Sequence, residues 1–175
     1  IPDYENTHTH KMIQQPAGVA VAYLAWNFPL LNLGFKLGPA LASGCSIIIK
    51  PSELSPLSAY ILGKIIHDID FPAGVVNILS GPTNEVATTL SKSKIPTVLT
   101  MIGSTATGQR VIADSATSIK KLSMELGGNA PFVVFEDAAI DKTLDLAIGI
   151  KFGNSGQICV AANRFFVHKS LYNSF

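Results

Sequence analysis

Residues 18–50 read GVAVAYLAWNFPLLNLGFKLGPALASGCSIIIK, and the order of residue types in this stretch decides the architecture. Gly18 to Leu24 is small and β-branched, which predicts a strand covered on both faces. Ala25-Trp26-Asn27-Phe28 then turns the chain. Pro29 suits the first turn of a helix, predicted to run to about Ala42 and stop near Gly44. Cys45 to Lys50 is a second apolar run and a second strand. Two such strands joined by a helix make a right-handed crossover unit, and therefore a parallel pair.

The same rhythm continues downstream. Ser55-Pro56 reads as a helix N-cap followed by proline at the first helical position. The helix behind it carries a stripe at Leu57, Ile61, Ile65 and Ile69. Val75 to Leu79 is a third strand, and a short helix follows from about Asn84 to Ser91. Pro96 to Met101 is a fourth strand, with a helix from about Ala106 to Ala116, and Lys121 to Leu126 is a fifth strand. After Gly127-Gly128 the pattern restarts with a strand at Pro131 to Phe135. A helix capped by Asp137 follows, with Ile140, Leu144, Ile148 and Phe152 on one face, then a strand at Arg164 to His168 and the start of another helix. The expectation is an α/β fold: a Rossmann-like, doubly wound parallel sheet over 1–126, and the beginning of a second α/β unit over 127–175.

Composition bounds the function. In 175 residues, 47% are hydrophobic and 14% charged, which excludes intrinsic disorder. The formal net charge is +1 with no basic cluster, so no nucleic-acid partner is expected. The longest apolar runs, such as Ala17 to Trp26, are too short to span a bilayer, so no membrane partner is expected. Cys45 and Cys159 show no disulfide spacing, and a reducing, cytoplasmic setting is the default expectation. The histidines show no ligand spacing with the cysteines, and no metal is expected. The sequence begins with Ile1 rather than Met, which suggests a start within a longer protein.

Three side chains carry candidate chemistry. Cys159 follows the polar loop Asn154-Ser155-Gly156-Gln157-Ile158, where Gly156 permits close backbone approach. Near a loop-to-helix junction its thiolate would be stabilised by backbone amides. The alternative is a small buried hydrophobe, the reading preferred for Cys45. Glu125 ends a parallel strand, where such sheets bind ligands. Partly desolvated by Met124 and Leu126, it would serve as a base, or it is an edge charge paired with a lysine. Asn27 follows a strand directly, and its amide can donate to an oxyanion, or serve a turn.

Two segments suit a nucleotide. Gly103-Ser104-Thr105-Ala106-Thr107-Gly108 joins a strand to a helix N-terminus, a phosphate-binding arrangement, although it is not G-x-G-x-x-G. Lys50-Pro51-Ser52-Glu53 follows a strand; Lys50 can donate to ribose hydroxyls and Glu53 accept from them. A carboxylate there repels a 2′-phosphate and favours NAD over NADP. A solvated Lys/Glu pair is the plainer reading.

The ordered set Trp26-Asn27-Phe28-Pro29, Lys50-Pro51-Ser52-Glu53, Gly103 to Gly108, Glu125-Leu126-Gly127-Gly128-Asn129-Ala130-Pro131 and Gly156-Gln157-Ile158-Cys159 resembles the aldehyde dehydrogenase superfamily. The resemblance covers the chain from about Pro16 onward, and Met124 to Phe175 looks most like succinate-semialdehyde dehydrogenases. It implies oxidation of an aldehyde to a carboxylic acid with reduction of NAD(P). Cys159 would form a thiohemiacetal and then a thioester, Asn27 would hold the oxyanion, and Glu125 would activate the hydrolytic water. It further implies that Ser104 and the neighbouring backbone contact the pyrophosphate, and that Lys50 and Glu53 meet the adenosine ribose. Trp26 would line the cleft, Gly81 would lie by the adenine, and Ser52, Gly103, Gly108, Leu126 and Gly127 would also bind the cofactor. Ala25 and Ile102 depart from the family's usual proline and threonine. Family members are several times longer, so the chain resembles a partial enzyme whose parent forms dimers or tetramers. The competing expectations are a nucleotide-binding fragment without turnover, and a relative that passes the thioester to coenzyme A.

Overall fold

A computed structural model describes residues 3–5 and 7–175; Ile1 lies outside them. The elements alternate as expected: β1 (Val19–Tyr23), α1 (Pro29–Ala42), β2 (Ser46–Lys50), α2 (Leu57–Asp68), β3 (Val76–Ile78), α3 (Thr83–Lys92), β4 (Val98–Gly103), α4 (Thr105–Ser115) and β5 (Lys121–Leu126). Then come β6 (Ala130–Val134), α5 (Ile140–Phe152), a short 3-10 turn at Gly153–Gly156 and β7 (Ala162–Val167).

The first five strands form one sheet in the order β3-β2-β1-β4-β5, and every neighbouring pair is parallel. β1 is central because its GVAVAY run offers apolar atoms to both faces. Ala20, Ala22 and Leu24 pack with Leu33, Ala40 and Ala59 of α1 and α2. Val21 and Tyr23 point the other way, to Leu99, Met101 and Val111. Side chains alternate at period two, so a single strand feeds both layers. Ile47, Ile49, Leu99 and Val21 are wholly buried, and each such side chain contributes about 1.5–3 kcal/mol. Winding reverses between β1 and β4, which opens a crevice at the carboxyl ends of these strands. β6 and β7 form a separate parallel pair, with a register shift between Ala130 and Pro131.

Several local expectations fail for identifiable reasons. Ser55 does not cap α2. The N-cap position is Pro56 without a side-chain bond, and Ser55 Oγ instead donates to Trp26 O at 3.0 Å. The stripe Leu57, Ile61, Ile65 and Ile69 faces outward, each residue at 49–71% exposure, while Ala59 makes the buried contact. A small residue lets the helix lie close to the sheet, so the face with the bulkiest side chains is the outer one. Asp137 does not cap α5, whose N-cap is Ala139, and Ile148 and Phe152 are exposed. Beyond β7 the chain makes turns rather than a helix, with Leu171 O accepting from both Ser174 and Phe175 amides. Phe175 thereby returns to stack with Phe132 and Phe165. β5 is an edge strand, exposed at Lys121, Leu122 and Ser123, so the sheet is not covered on both faces along its whole width.

Candidate active site

The crevice at the strand ends is a cleft of about 800 Å³ that borders Asn27, Glu125 and Cys159 together. Each reaches it from a different element. Asn27 sits in the turn between β1 and α1, Glu125 is the penultimate residue of β5, and Cys159 lies in a turn between the 3-10 segment and β7. The Cys159 thiol is free and exposed. It does not stand at a loop-to-helix junction; the chain there leads into a strand. Glu125 is also exposed, so Met124 and Leu126 do not desolvate it. Cys45, by contrast, is buried in the core at 5% exposure.

The loop before Cys159 is wound unusually. Asn154 and Ser155 have φ of 48° and 58°, and Gly156 has φ of 75°. Left-handed backbone at a non-glycine residue costs on the order of 1 kcal/mol, so the surroundings must hold it. Asn154 Nδ2 donates to Asn27 O at 3.2 Å, and Gln157 N donates to Asn154 O at 3.1 Å. Asn27 Nδ2 donates in turn to Gln157 O at 2.8 Å. The turn after β1 and the loop before Cys159 are thus stitched together by side-chain amides.

The same cleft is also lined by Trp26, Lys50, Ser52, Gly103, Ser104 and Gly127. Ser104 is the N-cap of α4, its Oγ accepting from Thr107 N at 3.2 Å. The amides of Thr105 and Ala106 have no acceptor within the helix, as first-turn amides never do. Lys50 is 4% exposed; burial pushes its ammonium below the ordinary lysine range, and Glu53 pulls it back up. Two of its three hydrogens go to Thr83 Oγ1 (3.0 Å) and Pro51 O (3.4 Å). Thr83 Oγ1 donates at 2.5 Å to Glu53 Oε1, which also pairs with Lys50 Nζ at 3.8 Å. The Thr83 hydroxyl chiefly, with the Thr83 amide and Lys50 helping against burial, holds the Glu53 carboxyl below its usual range. One buried cation, Lys50, and the first-turn amides of α4 at one crevice fit a ligand with phosphates and a ribose.

Four predicted residues do not border this cleft: Glu53, Gly81, Gly108 and Leu126. Gly108 and Leu126 pack on each other, since a Cβ at Gly108 would stand 2.7 Å from Leu126 Cδ2. They set how closely α4 approaches β5. Gly81, at φ 154°, leaves room for Val86 in the turn into α3.

A second cavity, of about 630 Å³, adjoins the first, and Glu125, Cys159 and Asn32 border both. Lys36 of α1 opens onto it. Burial pushes the Lys36 ammonium down, and the Glu125 carboxylate pushes it back up. Asn32, Lys36 and Thr83 went unremarked in the sequence. Asn32 and Lys36 stand four apart in an otherwise apolar helix, and that spacing places them on one face.

The chain is 42% identical over 175 residues to a glutarate-semialdehyde dehydrogenase of Pseudomonas putida, of which it spans 36%. It is 41% identical over 175 residues to a succinate-semialdehyde dehydrogenase [NADP(+)] of Escherichia coli, again spanning 36%. The chain therefore covers about a third of the length of these curated relatives. A solved succinate-semialdehyde dehydrogenase from Burkholderia pseudomallei superposes with a TM-score of 0.90 at 43% identity, over 93% of this chain and 34% of that one. A solved betaine aldehyde dehydrogenase of Staphylococcus aureus in complex with NAD+ gives 0.88 at 33% identity, over 91% and 32%. The model of the aldehyde dehydrogenase family matches residues 1–175, and the chain belongs to that family.

Proposed function

We propose that the protein containing this chain oxidises an aldehyde to a carboxylic acid with NAD(P), and that residues 1–126 serve as its nucleotide-binding domain and 127–175 as the start of its catalytic domain. The observation that carries the reading is the meeting of Cys159, Glu125 and Asn27 at one cleft.

Cys159 as thiolate attacks the carbonyl carbon, and the carbonyl oxygen becomes an oxyanion. Asn27 keeps one amide hydrogen on Gln157 O and offers the other to that oxyanion, alongside the Cys159 backbone amide. Bound dinucleotide supplies the hydride acceptor. The acyl group left on Cys159 is a thioester. Glu125 then takes a proton from water, and the hydroxide oxygen attacks the thioester carbon. The acid leaves, and the thiol is regenerated. Lys36 opens onto the second cavity, which Glu125 also borders. A base beside the thioester favours hydrolysis over transfer to coenzyme A.

Lys50 and Ser52 would hold the adenosine ribose, and Ser104 with the amides of Thr105 and Ala106 the pyrophosphate. Gly103, Gly127 and Trp26 complete that wall. Glu53, tied to Thr83, disfavours a 2′-phosphate, so NAD is preferred over NADP. An exposed reactive thiol fits a reducing compartment, the cytoplasm, and the active protein is a homodimer or homotetramer.

The test is a panel of aldehydes on the full-length protein, with reduced dinucleotide followed by absorbance for NAD and NADP. Robust turnover that Cys159→Ala abolishes is expected. A fully active Cys159→Ala protein removes Cys159 from the mechanism.

A further inference from the structure

Asn32 is 5% exposed, in a helix that otherwise turns leucine and alanine to the core. A buried amide is costly unless its hydrogens are bonded. Asn32 Nδ2 donates to Ala25 O at 3.3 Å and to Asn27 Oδ1 at 3.2 Å. The second bond has a chemical consequence. An asparagine side chain has an accepting end and a donating end of nearly the same shape, so packing alone scarcely chooses between them. A donor from Asn32 does choose. It keeps Oδ1 of Asn27 on the side of α1, and so leaves Nδ2 on the side of Gln157, two residues before Cys159. With the Asn27 amide turned over, N–H would face N–H at Asn32 and oxygen would face oxygen at Gln157. Both hydrogen bonds would be lost, and the oxyanion would meet a carbonyl instead of a donor.

We propose that Asn32 is a positioning residue that fixes the donor end of Asn27 toward Cys159. The proposal rests on the reading of Asn27 as oxyanion donor and adds what makes that donor point the right way. Asn32 borders both cavities, but this role is played through its bond to Asn27. Its effect passes entirely through Asn27, and that sets the test.

The experiment is a double-mutant cycle in the full-length protein with Asn32→Leu, Asn27→Ala and the pair. It is read by hydrolysis of p-nitrophenyl acetate, which needs the nucleophile and the oxyanion donors but no dinucleotide, and by kcat for aldehyde oxidation. NADH binding by fluorescence is the control, and Asn32→Met repeats the substitution with a more adaptable side chain should Asn32→Leu fold poorly. Asn27→Ala is expected to lower the ester rate about 10²–10³-fold, as loss of an oxyanion donor does. Asn32→Leu is expected to lower it about tenfold, the scale of losing a group that orients a functional side chain, with NADH binding unchanged. Added to Asn27→Ala, it is expected to cost nothing further. A loss from Asn32→Leu that persists undiminished in the Asn27→Ala background overturns the proposal, as does a wild-type ester rate in both Asn32 variants. A wild-type ester rate in Asn27→Ala refutes the oxyanion reading itself, and is distinguished by appearing in that single variant.

Discussion

Gly156 illustrates how the site depends on single residues. Its φ is 75°, and an added Cβ would stand 3.0 Å from Lys151 O, so any side chain there meets both backbone strain and a carbonyl. The loop Asn154 to Gln157 carries the acceptor of the Asn27 amide, so strain at Gly156 is transmitted to Asn27 and Cys159. Gly156→Ala is expected to lower kcat of the full-length protein at least tenfold, on the scale by which small misplacements of reacting groups cost rate, while leaving NADH affinity within a factor of about two. Kinetics and a binding titration on the same preparation check both. Cys159 and Glu125 were legible in the sequence because their types and their neighbouring glycines are unusual at strand and loop ends. Asn32 was not, because nothing in a sequence marks which amide bonds to which. The expected loop-to-helix junction at Cys159 fails for a related reason: a polar loop with glycine precedes strands as readily as helices, and here β7 follows.

At the scale of elements, the strand–helix order was legible throughout the sheet, because each buried strand is a plain apolar run bounded by glycine or proline. The orientation of the helices was not. Ala59 rather than the bulkier stripe of α2 makes its buried contact, and hydrophobic periodicity cannot tell a core face from a face awaiting another partner. The link from β2 to α3 shows what tertiary contact adds. Thr83, the first residue of α3, fixes Glu53 beyond β2, joining two elements thirty residues apart. Thr83→Val is expected to free the Glu53 carboxylate and weaken the preference for NADH over NADPH in a fluorescence binding titration. The pH dependence follows by sign. Glu53 is held below the usual carboxylate range, first by the Thr83 hydroxyl, so in the wild type it remains ionised to lower pH, and the proposed repulsion of a 2′-phosphate is expected to persist with it. In Thr83→Val the carboxyl protonates at higher pH, and the preference is lost earlier on acidification. Identical preference and identical pH profiles in the two proteins contradict this account of Thr83.

Over the whole molecule, large apolar side chains lie open on several faces: Leu57, Ile61 and Ile65 on α2, Leu146, Ile148 and Phe152 on α5, and Phe166 on β7. Exposed apolar area of this extent marks surface that another body covers. The 175 residues prepared by themselves are expected to bind the dye ANS and to form little or no reduced dinucleotide from aldehydes, whereas the full-length protein binds little dye and turns over. Low dye binding by the isolated 175 residues would argue against that expectation. What ties the scales together is the proposed covalent step. The most direct measurement is peptide mass spectrometry on full-length Glu125→Gln protein quenched in acid after mixing with aldehyde and NAD. Without the base, the acyl group is predicted to accumulate on Cys159 as a thioester, with the mass of the aldehyde less one hydride and one proton added to that peptide. Continued steady oxidation with no acyl group on Cys159 would contradict the account at its centre.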